Sequence, residues 1–455
     1  MGKLRFLLAI TAAKLSIIVL RLFGRNASCT PGKVALLICK DFLRYLTPPK
    51  TVIAITGTNG KTTVSNLLNA ILIDNGYSVT NNGLGSNVQA GVATALLQDA
   101  TLTGKPTKDI AVLEVDERSS LLIYPYIKPD YLLCNNIMRD SIRRNAHTDF
   151  ISYIINKALP ETTTLVLNGD DLICATLGPN NKNRIYFGMD AEKTDCVEPP
   201  YARDIVYCPV CGSALIPEYI RYSHIGRMTC SGCDFTSPVP DFLLTDIDRD
   251  NSTFTVRHHG IEETFHLIND NVVNLYNFCG VIALLTGIGL SYEQIASGFA
   301  HSKIISSRFD HIDAGKHKII MQLAKGQNPI ANARCYNYVA NCPGENKTLI
   351  LVGDNIEPSE STCWLYDCEY SYLKHPSISK IIFSGPRCKD QYLRALIAGV
   401  SPEKMQQISS PTAGTDLLDL NEAGDIYVLY GPYMIKEANI VKNKLIQITT
   451  EEAAK

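Results

Sequence analysis

Apolar and polar positions along this chain fall into stretches of different period. The first, MGKLRFLLAITAAKLSIIVLRLF, is mostly apolar but is interrupted by Lys14 and Arg21. These cations leave no run long enough to cross a bilayer, so the stretch reads as an amphipathic helix. Two partners for its apolar face stand open: the protein's own body, or a membrane interface. A turn-rich SCTPGK and a short helix, VALLICKDFLRYL, lead to Pro48-Pro49, which marks a boundary. Beyond it, β-branched runs at Val52 to Ile55, Ile110 to Leu113, Tyr131 to Cys134 and Thr164 to Leu167 alternate with helix-permissive VSNLLNAILIDNG and VQAGVATALLQ. This is the βαβ pattern of a parallel sheet covered by helices. Asn274 to Ile288 form an apolar helix, and KIISSRFD reads as a linker. The alternation then resumes in IIMQLA, TLILVGDN, SKIIFSG, a helix around Leu393 to Ala398, and IYVLYGPY. The fold class is therefore α/β, with a central domain and a smaller C-terminal α/β domain.

The first of these strands ends at Gly57-Thr58-Asn59-Gly60-Lys61-Thr62-Thr63 and passes directly into a helix. Strand, glycine loop and helix in that order form a phosphate-binding context. Backbone N–H groups and the helix N-terminus face the phosphates, Lys61 neutralises them, and the Thr62 hydroxyl can ligate Mg²⁺. The position six residues before the lysine is Ile55, where the common form of the loop has glycine, so this is a shortened variant read as an ATP site. Glu114 ends its strand at the edge where open α/β sheets bind ligands, and it is expected to hold the Mg²⁺ of Mg-ATP. Glu117, close by, is expected in a solvated turn. Asn136, Asp140, Arg144 and His147 follow the next strand and could face the same cleft. Asn168 and Asp171, in the NGDD turn, suit a ribose or adenine edge, and Asp354 ends a later strand.

A second motif, Cys208-x2-Cys211-x18-Cys230-x2-Cys233, has the spacing of a four-thiolate zinc ribbon. Four protein ligands leave no open coordination position, so the Zn²⁺ is expected to be structural, stapling an insertion of about 201–238. The remaining cysteines, of 15 in a 455-residue chain, are scattered, which fits reduced thiols and a cytoplasmic compartment better than a disulfide framework. A formal net charge of −2 gives no global case for a nucleic-acid partner.

In their order along the chain, TGTNGKTT, NNGLGSN, LEVDE, NNIMRD, LVLNGDD, the four-cysteine ribbon, LYNF, SRFD and VGDN resemble the MurT family, Mur ligase-like synthetase subunits of lipid II isoglutaminyl synthases. The ribbon is the most discriminating of these features. The resemblance implies a Mur ligase-type P-loop domain over 48–302, after an N-terminal helical segment over 1–47 and before a C-terminal domain over 303–455. It also implies ATP-dependent amidation of the D-glutamate α-carboxylate of lipid II through an acyl phosphate, catalysed with Lys61 and Glu114. No G-x-C-x-G glutaminase elbow surrounds any cysteine, so ammonia would come from a GatD-type class I glutamine amidotransferase. Its Cys-His pair would be completed by Asp354, with Asp367 as the alternative. The site of action would be cytoplasmic, at the inner face of the membrane if the first helix binds lipid. EPSESTCWLYDCEY, SIRRNAH and KGQNP depart from the family pattern and leave acceptor and partner contacts open. Two other functions remain: a ligase adding an amino acid, and a non-catalytic nucleotide-binding zinc protein.

Overall fold

The computed structural model describes residues 2–83, 86–139, 147–193, 195–197, 203–302, 309–324, 326–353, 362–420 and 424–453. The chain forms two compact units, one built chiefly of residues 1–304 and the other chiefly of residues 305–455.

In the first unit, strands β1 (Thr51–Thr56), β2 (Val79–Asn81), β3 (Ile110–Glu114), β4 (Tyr131–Cys134), β5 (Thr164–Asn168) and β6 (Arg184–Met189) run parallel. A hairpin of β7 (Leu215–Tyr222) and β8 (Ile225–Cys230) stands apart as its own small sheet. Strands β9 (Phe242–Asp248), β10 (Thr253–His258) and β11 (Ile261–His266) then extend the main sheet antiparallel to one another. The resulting order of nine strands is β11-β10-β9-β6-β5-β4-β1-β3-β2. β3 is buried along its whole length, as a parallel strand covered on both faces must be, whereas β10 alternates buried and wet positions.

Helices α1 (Gly2–Leu22), α2 (Thr30–Ile38), α3 (Lys61–Asp74) and α4 (Gln89–Gln98) flank this sheet. Phe6, Ile10 and Ile17 of α1 share one core with Val92 of α4 and Leu113 of β3. Two local expectations are corrected. Part of SCTPGK lies inside α2, because Pro31 is pre-set for a first helical turn and Gly32 lets α4 approach closely; a Cβ on Gly32 would sit 1.8 Å from the Ala90 carbonyl oxygen. The helix expected through Leu46 stops at Ile38, where Cys39 turns extended, and a separate 3-10 turn, Phe42–Tyr45, follows.

The second unit is a six-stranded sheet of β12 (Phe309–Ala314), β13 (His317–Leu323), β14 (Lys347–Val352), β15 (Ile378–Ser384), β16 (Met405–Ile408) and β17 (Ile426–Tyr430). Their order is β12-β13-β17-β14-β15-β16, parallel except for β12 against β13. The expected linker KIISSRFD therefore already enters a strand at Phe309; its residues 303–308 lie outside the described ones. Lys347 is fully buried and donates to the Val339 carbonyl at 2.9 Å and the Ala340 carbonyl at 3.4 Å, closing the C-terminus of helix Pro329–Asn341.

Candidate active site

β1 lies between β3 and β4, with Ile55 beside Glu114 and Thr56 beside Cys134. The segments leaving β1, β3, β4 and β5 thus emerge together at one carboxyl edge, the ligand edge of such a sheet. Gly57 (φ +120°) and Gly60 (φ +93°) take left-handed conformations between β1 and α3. A Cβ on Gly57 would lie 2.8 Å from the Asn136 carbonyl oxygen, and one on Gly60 2.3 Å from Asn277 Oδ1, so a side chain is excluded at both positions. The segment after β4 fixes the loop. Asn136 accepts from the Asn59 N–H at 2.9 Å and donates back to its carbonyl at 3.1 Å, while the Thr58 hydroxyl accepts from the Met138 N–H at 2.9 Å. The N-terminus of α3, starting at Lys61 and continuing through Thr62 and Thr63, opens onto this pre-set loop.

Lys61 Nζ donates to Glu117 Oε1 at 2.9 Å and to the Gly57 carbonyl. Burial works against its ammonium, but Glu117, backed by Asp116 and Glu114, outweighs that and raises the Lys61 pKa. The expectation of a solvated Glu117 is corrected here. A 3-10 turn, Glu117–Ser119, capped by the Asp116 carboxylate, folds Glu117 back beneath the loop, where it is 2% exposed.

Glu114 is equally buried, and the Asn82 side chain brackets its backbone N–H and carbonyl at 2.8 Å each. Thr62 Oγ1 donates to Glu114 Oε2 at 3.1 Å, while Oε1 has no hydrogen-bond partner among the described residues. Burial raises the Glu114 pKa, opposed by the Thr62 hydroxyl and Lys61. An orphaned buried carboxylate oxygen beside a threonine hydroxyl is a donor set suited to Mg²⁺.

Asn168 and Asp171, expected at a ribose or adenine edge, are fully buried and engaged within the protein. Asn168 donates to the Asn135 carbonyl at 2.9 Å, and Asp171 accepts from the Ile137 N–H at 2.8 Å. Both hold the segment that in turn holds the phosphate loop. Asp140, Arg144 and Asp354 lie outside the described residues; His147 is exposed, and Asp367 ends the short helix Trp364–Asp367.

The sulfurs of Cys208, Cys211, Cys230 and Cys233 all lie within 4.8 Å of one another. Cys208 and Cys233 are 3.7 Å apart and Cys211 and Cys230 3.4 Å, against ~3.8 Å for the edge of a tetrahedron with Zn–S of ~2.3 Å. The N–H groups of Val210 and Gly232 point at Cys208 and Cys230 sulfur, so the four thiolates fit Zn²⁺. The ribbon packs Ile220 and Met228 against Leu172, just after β5. His224, in the β7–β8 turn, lies between Asp171 at 3.2 Å and Asp204 at 3.3 Å. Burial disfavours its imidazolium, but the two aspartates prevail and raise its pKa to about 10. No local pattern in the chain signals this link, nor the role of Arg221, which grips Asp195 at 2.8 and 3.1 Å.

Two family models match the chain: Mur ligase middle domain over residues 55–205 and MurT ligase C-terminal over residues 325–432. The chain is 29% identical, over 94% of each sequence, to the lipid II isoglutaminyl synthase (glutamine-hydrolyzing) subunit MurT of Streptococcus pneumoniae. It is 28% identical to the subunit of the same name from Staphylococcus aureus strain COL, over 86% of this chain and 88% of the relative. Among solved structures, a pseudomurein peptide ligase type C from Methanothermus fervidus superposes with a TM-score of 0.69 at 21% identity, covering 89% of this chain and 81% of that one. The MurF ligase of Thermotoga maritima in complex with ADP gives 0.59 at 15% identity, covering 94% and 85%. These structures share the Mur ligase fold.

Proposed function

We propose that this chain, a member of the MurT family of Mur ligase-like proteins, is the ATP-using subunit of a lipid II isoglutaminyl synthase. It amidates the α-carboxylate of D-glutamate in the stem peptide, giving D-isoglutamine. The observation that carries this reading is the cluster of Lys61, Thr62, Glu114 and Glu117 around a pre-set phosphate loop. Relatives named for that synthase and matching almost end to end support it.

Hydroxide is a poor leaving group, so the carboxylate needs activation. A bond forms from a carboxylate oxygen to the γ-phosphorus as the bond to the β–γ bridging oxygen breaks, and ADP leaves. Ammonia nitrogen then bonds to the acyl carbon, the carbon–oxygen bond to phosphate breaks, and a proton is lost. The chain contributes position and charge to this chemistry. The backbone between Gly57 and Lys61 receives the phosphates, Lys61 exchanges Glu117 for phosphate oxygens, and Glu117 keeps the ammonium in place until then. Thr62 and Glu114 would hold Mg²⁺, which when bound offsets phosphate charge. Cys208, Cys211, Cys230 and Cys233 would hold a structural Zn²⁺. Ammonia comes from a GatD-type glutaminase subunit whose Cys-His pair is completed by Asp354.

The test is to incubate this chain, its glutaminase partner, glutamine and Mg-ATP with lipid II and to weigh the product. Replacing hydroxyl by amide lowers the mass by about one unit, and Lys61→Ala abolishes the change if the phosphate loop drives it. ATP turnover without any mass change, with glutamine or free ammonium, would overturn the reading. A gain of one amino-acid residue would make the chain a peptide ligase.

A further inference from the structure

Helix α1 has two apolar faces. Phe6, Ala9, Ile10, Ala13 and Ile17 are buried in the first unit. Leu4, Leu8, Leu15, Ile18 and Leu22 recur at helical spacing on the opposite side and are exposed, Leu15 and Ile18 by 56% and 55% and Leu22 by 80%. Phe23, just past the helix end, is 78% exposed, and Leu37 of α2 adds another exposed apolar side chain. A run of apolar side chains this long on a helix already packed by its other face calls for an occupant.

The charges around it say which. Up to Lys40 the chain contains Lys3, Arg5, Lys14, Arg21, Arg25, Lys33 and Lys40 and not one Asp or Glu, although the whole chain is formally −2. Lys3, Arg5, Arg21, Arg25 and Lys33 are exposed, while Lys14 donates to the Gln98 carbonyl at 3.3 Å. A second copy docking here would bring like charges together. An anionic lipid surface answers both features: apolar side chains enter the acyl boundary, and flanking cations meet the headgroups. No described helix is long and apolar enough to cross a membrane, so the contact is interfacial.

We infer that α1 is a membrane-docking element that lays its Leu4–Leu22 stripe into an anionic bilayer surface. Docking through this face is independent of which carboxylate the active site activates.

The test is flotation of the full chain with vesicles of equal parts phosphatidylglycerol and phosphatidylcholine, beside vesicles of phosphatidylcholine alone. The chain should float with the anionic vesicles and much less with the zwitterionic ones. Raising salt should weaken binding, and each exposed basic residue removed should weaken it about fivefold. Leu15→Asp with Ile18→Asp should abolish flotation, with thermal unfolding and ATP binding as for the parent chain. Leu22→Ser with Phe23→Ser, at the helix end, serves should that pair disturb folding. Failure of the parent chain to float, or equal flotation of both paired variants, would overturn the inference. So would a dimer in sedimentation that Ile18→Asp converts to monomer, because a second copy would then cover the face.

Discussion

Glu117→Gln separates the two roles of the lysine's partner. The Lys61 and Glu117 side chains are 13% and 3% exposed and 2.9 Å apart. Removing one member of such a buried pair costs about 3–5 kcal/mol. Glutamine keeps the volume and an acceptor oxygen, and Lys61 retains the Gly57 carbonyl, so a loss of about 2 kcal/mol is expected for the nucleotide-free protein. At roughly 2–4 °C per kcal/mol, melting should fall by several degrees. Nucleotide binding should move the other way. In the parent protein Lys61 must leave Glu117 to meet phosphate; in the variant it has no carboxylate to leave, and recovery of about 1.4 kcal/mol would tighten Mg-ATP about tenfold. Thermal melting of the nucleotide-free chain and calorimetric titration with Mg-ATP measure the two effects. Unchanged melting together with weaker Mg-ATP binding would refute the reasoning and place Glu117 on the nucleotide or its metal.

Three further outcomes follow from the same geometry. Glu114→Gln should leave the melting temperature of the nucleotide-free chain unchanged or higher, since it removes a buried carboxylate with one unpartnered oxygen, while phosphoryl transfer falls on the order of a hundredfold or more, read from ATP turnover. Cys208→Ser should lower zinc content by elemental analysis and destabilise the ribbon; full zinc occupancy in the variant would exclude the four-thiolate site. His224→Gln tests the link between ribbon and loop support. The His224 pKa, raised from 6.5 to about 10, makes its stabilisation complete below pH 6.5 and lost as pH rises towards 10. The melting advantage of the parent over His224→Gln, on the order of a few kcal/mol near neutral pH, should therefore shrink between pH 7 and pH 10; a pH-independent difference would count against the aspartate pair.

What could be read from the sequence was whatever is local. TGTNGKTT encodes a strand, two left-handed glycines and a helix start within a few residues, and the cysteine spacing encodes two turns. Tyr131–Cys134 appears as a strand with the bounds expected of it. Glu117 was not legible in this way: its neighbours look like a wet turn, and only the 3-10 turn brings it under a lysine 56 positions earlier. Asn168 and Asp171 were legible only in part: Asp171 caps the short helix after it, a local role, whereas its bond to the Ile137 N–H and that of Asn168 to the Asn135 carbonyl reach another segment. The first helix could not be resolved between packing and lipid because it has an apolar face for its own core and another that is exposed. Strands β9 to β11 and the helix Ile435–Ala453 carry only a weak local signal. The β10–β11 hairpin turns at His259-Gly260, without the Asn-Gly or Asp-Gly pair that marks most tight hairpins, and the closing helix is diluted by polar residues.

In the proposed reaction a carboxylate is phosphorylated at the Lys61 loop before nitrogen arrives. Lipid II carrying oxygen-18 in both oxygens of the D-glutamate α-carboxylate tests it directly, with mass spectrometry of the inorganic phosphate released alongside amide. Acyl phosphate chemistry predicts one labelled oxygen in each phosphate formed. Amide produced with unlabelled phosphate would contradict it.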